Sequence, residues 1–119
     1  MNIQLSISLL ASDRAASLER CLDSLRPLLM QVPSELIIVF TGTDPRVKEI
    51  AERYTDKVIP FTWCDNFSAA RNVGLWEAKG EWFLFIDDDE WFEDTTEIRD
   101  FFLSGEYKKY GAGLYKQKN

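Results

Sequence analysis

Residues 3–10 alternate between large aliphatic and small polar side chains, with isoleucine or leucine at positions 3, 5, 7 and 9 and glutamine or serine between them. This period of two predicts a β-strand. Leucine and cysteine then recur at positions 18, 21, 22 and 25, the spacing of one helix face, which predicts an amphipathic helix. Ser12 or Asp13 can cap the start of this helix, and Pro27 is expected to end it.

Three further apolar runs have the length of strands. Residues 36–40 are rich in β-branched side chains, residues 58–61 are typical of a short edge strand because of Pro60, and residues 82–86 are aromatic and aliphatic. Helical spacing recurs between these runs, at positions 47–54 and 69–75. Alternating strands and helices predict an α/β fold, namely a Rossmann-like, mostly parallel sheet with helices on both faces.

Polar segments follow each of the four predicted strands, at residues 12–14, 41–44, 64–66 and 87–90. The carboxyl ends of parallel strands meet at one edge of a sheet, so these segments are expected to form a common polar rim. Hydroxyls, a glycine and helix N-termini suit phosphate, while carboxylates suit a cation or ribose hydroxyls. Thr43 and Asp44 serve equally well as plain helix caps.

The last of these segments is the acidic tract Asp87-Asp88-Asp89-Glu90, directly after the apolar and aromatic run of residues 82–86. Adjacent carboxylates repel one another, and a divalent cation would relieve that repulsion. A solvated turn, or caps for a following helix, would explain the same residues. Trp91 comes next, and a tryptophan there packs in a core more often than it supports a sugar ring.

Composition limits the partners and metals that we expect this chain to bind. A formal net charge of -6 over 119 residues argues against a nucleic-acid partner. The chain contains no histidine, so a metal would be held by oxygen ligands, which favours Mg²⁺ or Mn²⁺ over zinc and excludes histidine-based triads. Cys21 is expected in the core, and Cys64 in a polar turn. Neither a signal peptide nor a transmembrane segment is indicated, so we expect a cytoplasmic protein.

The glycine-rich motifs of dinucleotide-binding and P-loop proteins are absent from the sequence. The chain instead resembles family 2 glycosyltransferases of the GT-A fold, over residues 1 to about 92. The resemblance is carried by the first two strand segments, the segment Ser68-Ala69-Ala70-Arg71-Asn72 with Gly74, the Gly80-Glu81-Trp82 segment and the acidic tract.

The resemblance implies a nucleotide-diphosphate sugar donor whose diphosphate is bridged by Mn²⁺ or Mg²⁺. Asp87 and Asp89 match the two acids of the family's Asp-x-Asp motif and are the implied metal ligands, while Asp88 would contact the ribose. Arg71 would face the donor with support from Ser68. The loop after the second strand adds Thr41 and Asp44 to the expected substrate-binding residues.

The chain departs from the family pattern at Phe40 and Thr41, where the family usually has an aspartate. It also stops at Asn119, before the acceptor-binding half that carries the general base. We therefore expect an incomplete enzyme: a nucleotide-sugar-binding domain over residues 1–103, and a tail or the start of the acceptor side over residues 104–119. A capping-box pattern predicts a short helix over residues 95–103 within the first part.

Two other interpretations remain open. One is a non-catalytic module that binds a nucleotide-sugar or a metal. The other is a truncated product whose sheet edge is completed by a partner or by self-association, for which Tyr107, Tyr110, Leu114 and Tyr115 would supply an apolar patch. A phosphatase is less well supported, because the acids of that class follow the first strand. We expect the 119-residue chain not to transfer sugar on its own, even if it binds donor.

Overall fold

The computed structural model describes residues 3–62, 66–92, 96, 99 and 100. The described elements, in chain order, are β1 (Leu5–Ala11), α1 (Ala15–Gln31), β2 (Ser34–Phe40), α2 (Pro45–Glu52), β3 (Val58–Pro60), α3 (Phe67–Glu77) and β4 (Trp82–Asp87). Strands alternate with helices throughout, as the periodicity predicts. Of the predicted helix over residues 95–103, only Thr96, Arg99 and Asp100 are described, and all three are helical. The rest of that segment and residues 104–119 lie outside the described residues, as do Trp63, Cys64 and Asp65.

The four strands form one parallel sheet in the order β3-β2-β1-β4. The first strand therefore lies inside the sheet, where it pairs with β2 on one side and β4 on the other. In that register Leu10 is opposite Val39 and Asp87, so all three strands end at the same edge. The predicted α/β class with a parallel sheet is confirmed, and the acidic tract lies at the carboxyl edge.

The odd-numbered face of β1 supplies the main core. Leu5, Ile7, Leu9 and Ala11 are completely buried, and they pack in one cluster with the apolar stripe of α1 and with residues of α2. The buried residues of α1 are Leu18, Cys21, Leu22, Leu25 and Leu28. Burying one such leucine stabilises the fold by about 1.5–3 kcal/mol. Cys21 is a core residue, as predicted, and burial raises the pKa of its thiol.

The even-numbered face of β1 carries Ser6 and Ser8, which are buried although they are polar. These small side chains allow α3 to approach the sheet closely. A Cβ added to Gly74 of α3 would lie 2.0 Å from the Ser8 hydroxyl oxygen, so only glycine fits there. Since α1 and α2 share the core on the opposite face, helices cover both faces of the sheet.

A buried carboxylate stabilises the amino-terminal ends of the strands, at the edge of the sheet opposite the cleft. Glu35 of β2 accepts hydrogen bonds from the Ser6 hydroxyl and the Lys79 backbone N–H, both at 2.6 Å, and forms an ion pair with Lys57. Burial alone would raise the pKa of Glu35, but these three interactions outweigh it and hold the pKa below its ordinary value. The contacts join β1, β2 and the segments that precede β3 and β4.

Two expectations about α1 are wrong. Pro27 does not end the helix, which continues to Gln31 with the proline inside it. A proline removes one backbone hydrogen bond, but Leu28 directly after it is fully buried. Val32 N–H closes the last turn of the helix on Leu28 C=O at 3.0 Å. Arg14, rather than Ser12 or Asp13, occupies the N-cap position.

Candidate functional site

The loops after β1, β2 and β4 enclose a cleft of about 420 Å³ at the carboxyl edge of the sheet. It is lined by Leu10, Ala11, Ser12, Asp13, Arg14, Thr41, Gly42, Asp87, Asp88 and Asp89. The volume lies within the range of about 300–1,000 Å³ that is usual for small-molecule sites. Three of the four predicted polar segments, those after β1, β2 and β4, therefore form a real concavity although they are far apart in the sequence. Cys64 and Asp65 of the remaining segment lie outside the described residues.

The acids of the tract differ in exposure because β4 ends within it. Asp87 is the last residue of the strand and is partly buried, Asp88 is buried in the following turn, and Asp89 is exposed. Asp88 accepts hydrogen bonds from the Ser12 backbone N–H at 3.0 Å and from the Ser12 hydroxyl at 3.2 Å. These bonds fix the acidic turn against the loop that follows β1.

Arg14 lies over the same turn. One of its terminal nitrogens is 3.3 Å from Asp88 Oδ1 and 3.6 Å from Asp89 Oδ2, while its side chain is 54% exposed in the cleft. Burial raises the pKa of Asp88, and the hydrogen bonds from Ser12 and the charge of Arg14 only partly oppose that rise. Burial in this turn therefore disfavours the ionised form of Asp88, and pKa values perturbed in this way are typical of functional sites.

Asp87 faces the other side of the tract, toward α3. Its two carboxylate oxygens are each 3.4 Å from a terminal nitrogen of Arg71, and the Arg71 guanidinium lies 5.6 Å from the ring centre of Phe85. The resemblance implies that Arg71 faces the donor and that Asp87 is a metal ligand. The structure brings these two side chains together: α3 packs across β1 and β2, and Arg71 reaches Asp87 at the end of β4.

Glu90 was not selected as a candidate ligand from the sequence, although it belongs to the acidic tract. It is buried, and its Oε1 accepts a hydrogen bond from the Asp87 backbone N–H at 2.9 Å. Asp87, Asp89 and Glu90 each offer a carboxylate oxygen within 4.8 Å of the others. A turn in which Glu90 N–H donates to Asp87 C=O at 3.0 Å brings these two residues together, a contact that the strand periodicity does not reveal.

A hard divalent cation fits this donor set. Mg²⁺ and Mn²⁺ prefer oxygen ligands, and three carboxylate oxygens this close together can share one ion. Water or a phosphate group would complete the coordination, as is common for Mg²⁺. The tract is also consistent with the predicted choice of Mn²⁺ or Mg²⁺, since the chain contains no histidine.

The loop between β2 and α2 forms the opposite wall of the cleft. Its Thr41 hydroxyl donates to Ala11 C=O at 3.0 Å, which ties the loop to the end of β1. Asp44 is the N-cap of α2 and accepts from Arg46 N–H at 2.9 Å. The structure therefore shows Asp44 in the capping role that the sequence left as one alternative.

Asp13 makes a connection that sequence reasoning missed. Its carboxylate accepts from the backbone N–H groups of Thr43 at 2.9 Å and Asp44 at 2.8 Å, and these bonds hold its pKa below its ordinary value. Gly42 permits this approach, because an added Cβ would lie 2.1 Å from Asp13 Oδ1. Two carboxylates thus occupy the amides at the start of α2, where a phosphate was one possibility.

The remaining sequence candidates lie on α3 and beyond β4. Ser68 is exposed in the first turn of α3. The N-cap of this helix is Asn66, and the Asn66 side chain accepts a hydrogen bond from Ala69 N–H at 3.1 Å. Trp91 is directed toward α1, where the Arg20 guanidinium stacks 3.7 Å from the ring centre. This contact agrees with a packing role for Trp91.

A parallel sheet, a cleft at its carboxyl edge and an acidic tract after β4 define an α/β protein of the Rossmann-like GT-A type. The family model described as "Glycosyl transferase family 2" matches residues 6–102. The chain therefore belongs to glycosyl transferase family 2. Within the described part of the chain, no helix has both the length and the apolar character that crossing a membrane requires.

Two similar proteins are considerably longer than this chain. A TPR repeat-containing protein of Synechococcus elongatus is 38% identical over 98 residues, which cover 81% of this chain and 23% of that protein. The uncharacterized glycosyltransferase EpsJ of Bacillus subtilis is 35% identical over 112 residues, which cover 86% of this chain and 31% of that protein. The chain thus spans less than a third of the length of either relative.

Proposed function

We propose that this chain is the donor-binding part of a glycosyltransferase and binds a nucleotide-diphosphate sugar together with Mn²⁺ or Mg²⁺. The observation that carries the proposal is the position of the acidic tract. One carboxylate oxygen each of Asp87, Asp89 and Glu90 lie within 4.8 Å of one another, beside the cleft that Asp87 and Asp89 line. Membership of a glycosyl transferase family supports the class of reaction. The identity of the ligand rests on the chemistry of the cleft.

Asp87 and Asp89 are the proposed metal ligands, with Glu90 as a third. When bound, the cation would neutralise the charge that the leaving nucleoside diphosphate gains as the glycosidic bond breaks. Arg71 holds Asp87 from the α3 side at 3.4 Å, which orients this carboxylate and leaves a cationic group beside the diphosphate. Ser68, at the start of the same helix, lies among the proposed donor-binding residues.

The nucleoside is proposed to lie between the acidic turn after β4 and the loop after β2, on two sides of the cleft. Asp88 would accept a hydrogen bond from a ribose hydroxyl, and Thr41 would border the nucleoside from the β2 side. The amides at the start of α2 are already bonded to Asp13 and Asp44, so we place the diphosphate at the acidic tract and not on that helix. In this arrangement Asp44 contributes by shaping the loop.

Calorimetric titration with a panel of nucleoside diphosphates, with and without Mn²⁺, tests the proposal. We expect Mn²⁺ alone to bind weakly, and to bind more tightly with one or more of the diphosphates, because phosphate oxygens complete its coordination. Asp89→Asn should remove the metal dependence of nucleotide binding. The matched control is Glu49→Gln, which changes an exposed carboxylate of α2 in an ion pair with Arg53.

The metal assignment would be wrong if Asp89→Asn bound diphosphate with unchanged dependence on Mn²⁺. A wild-type chain that bound no nucleoside diphosphate at any Mn²⁺ concentration would contradict the donor-binding proposal itself. In that case the acidic tract would have only the structural role of a turn, in which Asp88 and Glu90 are buried and Asp89 is exposed.

Binding does not by itself separate an enzyme from a non-catalytic module. Transfer requires an oriented acceptor and a general base in addition to the donor site. Incubating the chain, and separately the longer parent protein if one is encoded, with labelled nucleotide-sugars and acceptors would decide between them. Glycosylated product from either identifies a transferase, while binding without product from both identifies a binding module. We also propose a cytoplasmic location, to be tested by cell fractionation.

A further inference from the structure

We propose that Arg14 is a positioning residue that exchanges partners when donor binds, from the carboxylates of Asp88 and Asp89 to the donor diphosphate. The inference rests on the proposed function and adds to it a residue that neither the acidic motif nor the resemblance selected. Its basis is the contact of one guanidinium with both the proposed ribose ligand and a proposed metal ligand.

Arg14 contacts the carboxylate oxygen of Asp88, Oδ1, that the donor ribose would need. Ser12 bonds to Asp88 through Oδ2, from both its N–H and its hydroxyl, while Arg14 contacts Oδ1 at 3.3 Å. When Arg14 leaves, Asp88 keeps two hydrogen bonds and its position. Its Oδ1 then becomes available to a ribose hydroxyl, so the exchange prepares a ligand without loosening the turn.

The same arginine competes with a cation for Asp89. A divalent ion on the acidic tract would lie close to a guanidinium that is 3.6 Å from Asp89 Oδ2, and two cations at that separation repel each other. A diphosphate removes the conflict, because it accepts two parallel hydrogen bonds from a guanidinium and ligates the metal as well. Metal and diphosphate should therefore bind cooperatively through Arg14.

The surroundings allow Arg14 to move while Arg71 stays. Arg14 is at the N-cap of α1, and 54% of its side chain is exposed, so a new rotamer requires no repacking of the core. Arg71 is 37% exposed, lies against Phe85 and contacts both oxygens of Asp87. Arg71 is thus a fixed counter-charge to the acidic tract, and Arg14 is an exchangeable one.

The test measures Mn²⁺ affinity, by electron paramagnetic resonance, for the 119-residue chain with and without the nucleoside diphosphate that binds best. For Arg14→Gln we expect Mn²⁺ alone to bind several-fold more tightly, because its competitor is gone. Phosphate oxygens that ligate the metal directly remain in this variant, but the enhancement of Mn²⁺ binding by diphosphate, expected to be about tenfold or more in the wild type, should fall at least about threefold. Arg14→Lys should keep part of it, since the charge remains without the planar fork.

The matched control is Arg53→Gln, which removes an exposed guanidinium from α2 and should change neither quantity. Circular dichroism spectra and urea midpoints would establish that each variant is folded. Unchanged Mn²⁺ affinity and unchanged enhancement in Arg14→Gln would overturn the inference while leaving the proposed function intact. A wild-type chain with no diphosphate binding at all would overturn both.

Discussion

Replacing Glu35 tests how the structure holds the sheet together beneath the site. Its side chain is only 5% exposed, and Glu35→Ala removes the acceptor for two hydrogen bonds of 2.6 Å, from the Ser6 hydroxyl and the Lys79 N–H. Bonds to a buried charged group contribute about 1.5–3 kcal/mol each. The ion pair with Lys57, which is 37% exposed, adds at most about 1 kcal/mol after screening.

We therefore expect Glu35→Ala to lower the free energy of unfolding by about 3–5 kcal/mol, a large share of the about 5–15 kcal/mol of a typical domain. Glu35→Gln retains an oxygen that can accept from both Ser6 and Lys79, so it should cost about 1–2 kcal/mol. Glu49→Ala, which breaks an exposed pair on α2, should change the free energy by less than about 0.5 kcal/mol.

The pH dependence gives a second measurement with a definite sign. The pKa of Glu35 is lower in the folded chain than its ordinary value of 4.5, so its ionised form favours folding. That stabilisation is complete above the ordinary pKa and is lost as the pH falls through the lower, folded pKa. The difference in stability between wild type and Glu35→Gln should accordingly shrink below pH 4.5.

Urea unfolding followed by tryptophan fluorescence and far-UV circular dichroism, at neutral pH and in steps into the acid range, measures both quantities. The reasoning is refuted if Glu35→Ala costs less than about 1 kcal/mol at neutral pH, since each of its buried bonds should exceed that value. It is also refuted if the gap between wild type and Glu35→Gln remains constant with falling pH.

Three further predictions concern the elements that shape the cleft. Gly74→Ala should destabilise the chain by about 1–3 kcal/mol in thermal unfolding, because the new Cβ would lie 2.0 Å from the Ser8 hydroxyl oxygen, and adding Ser8→Gly should recover part of the loss. Asp13→Ala should accelerate hydrogen exchange at the two amides it binds at the start of α2, and equal exchange rates would contradict that connection. Asp88→Asn should keep the urea midpoint, since an amide oxygen can still accept from Ser12, yet weaken nucleoside diphosphate binding at least about tenfold.

The sequence alone determined the elements and the edge at which the site lies. Alternation in residues 3–10 and helical spacing in residues 18–25 are local properties, and they predicted β1 and α1 because burial on one face imposes those periods. The apolar run before the acidic tract likewise placed its carboxylates at the end of a parallel strand. The roles assigned to Asp87, Asp88 and Asp89 came from the resemblance to a family, and they stay predictions.

Only the tertiary structure decided which of these groups contact one another. Asp88 bonds to a serine 76 residues away, and Asp13 to amides 30 and 31 residues away, through the register that joins β1 to β4 and β2. The helix α1 continues past Pro27 because Leu28 is buried against the sheet, which outweighs the loss of one backbone bond. Local periodicity carries no information about such pairings, since they depend on how separate segments pack.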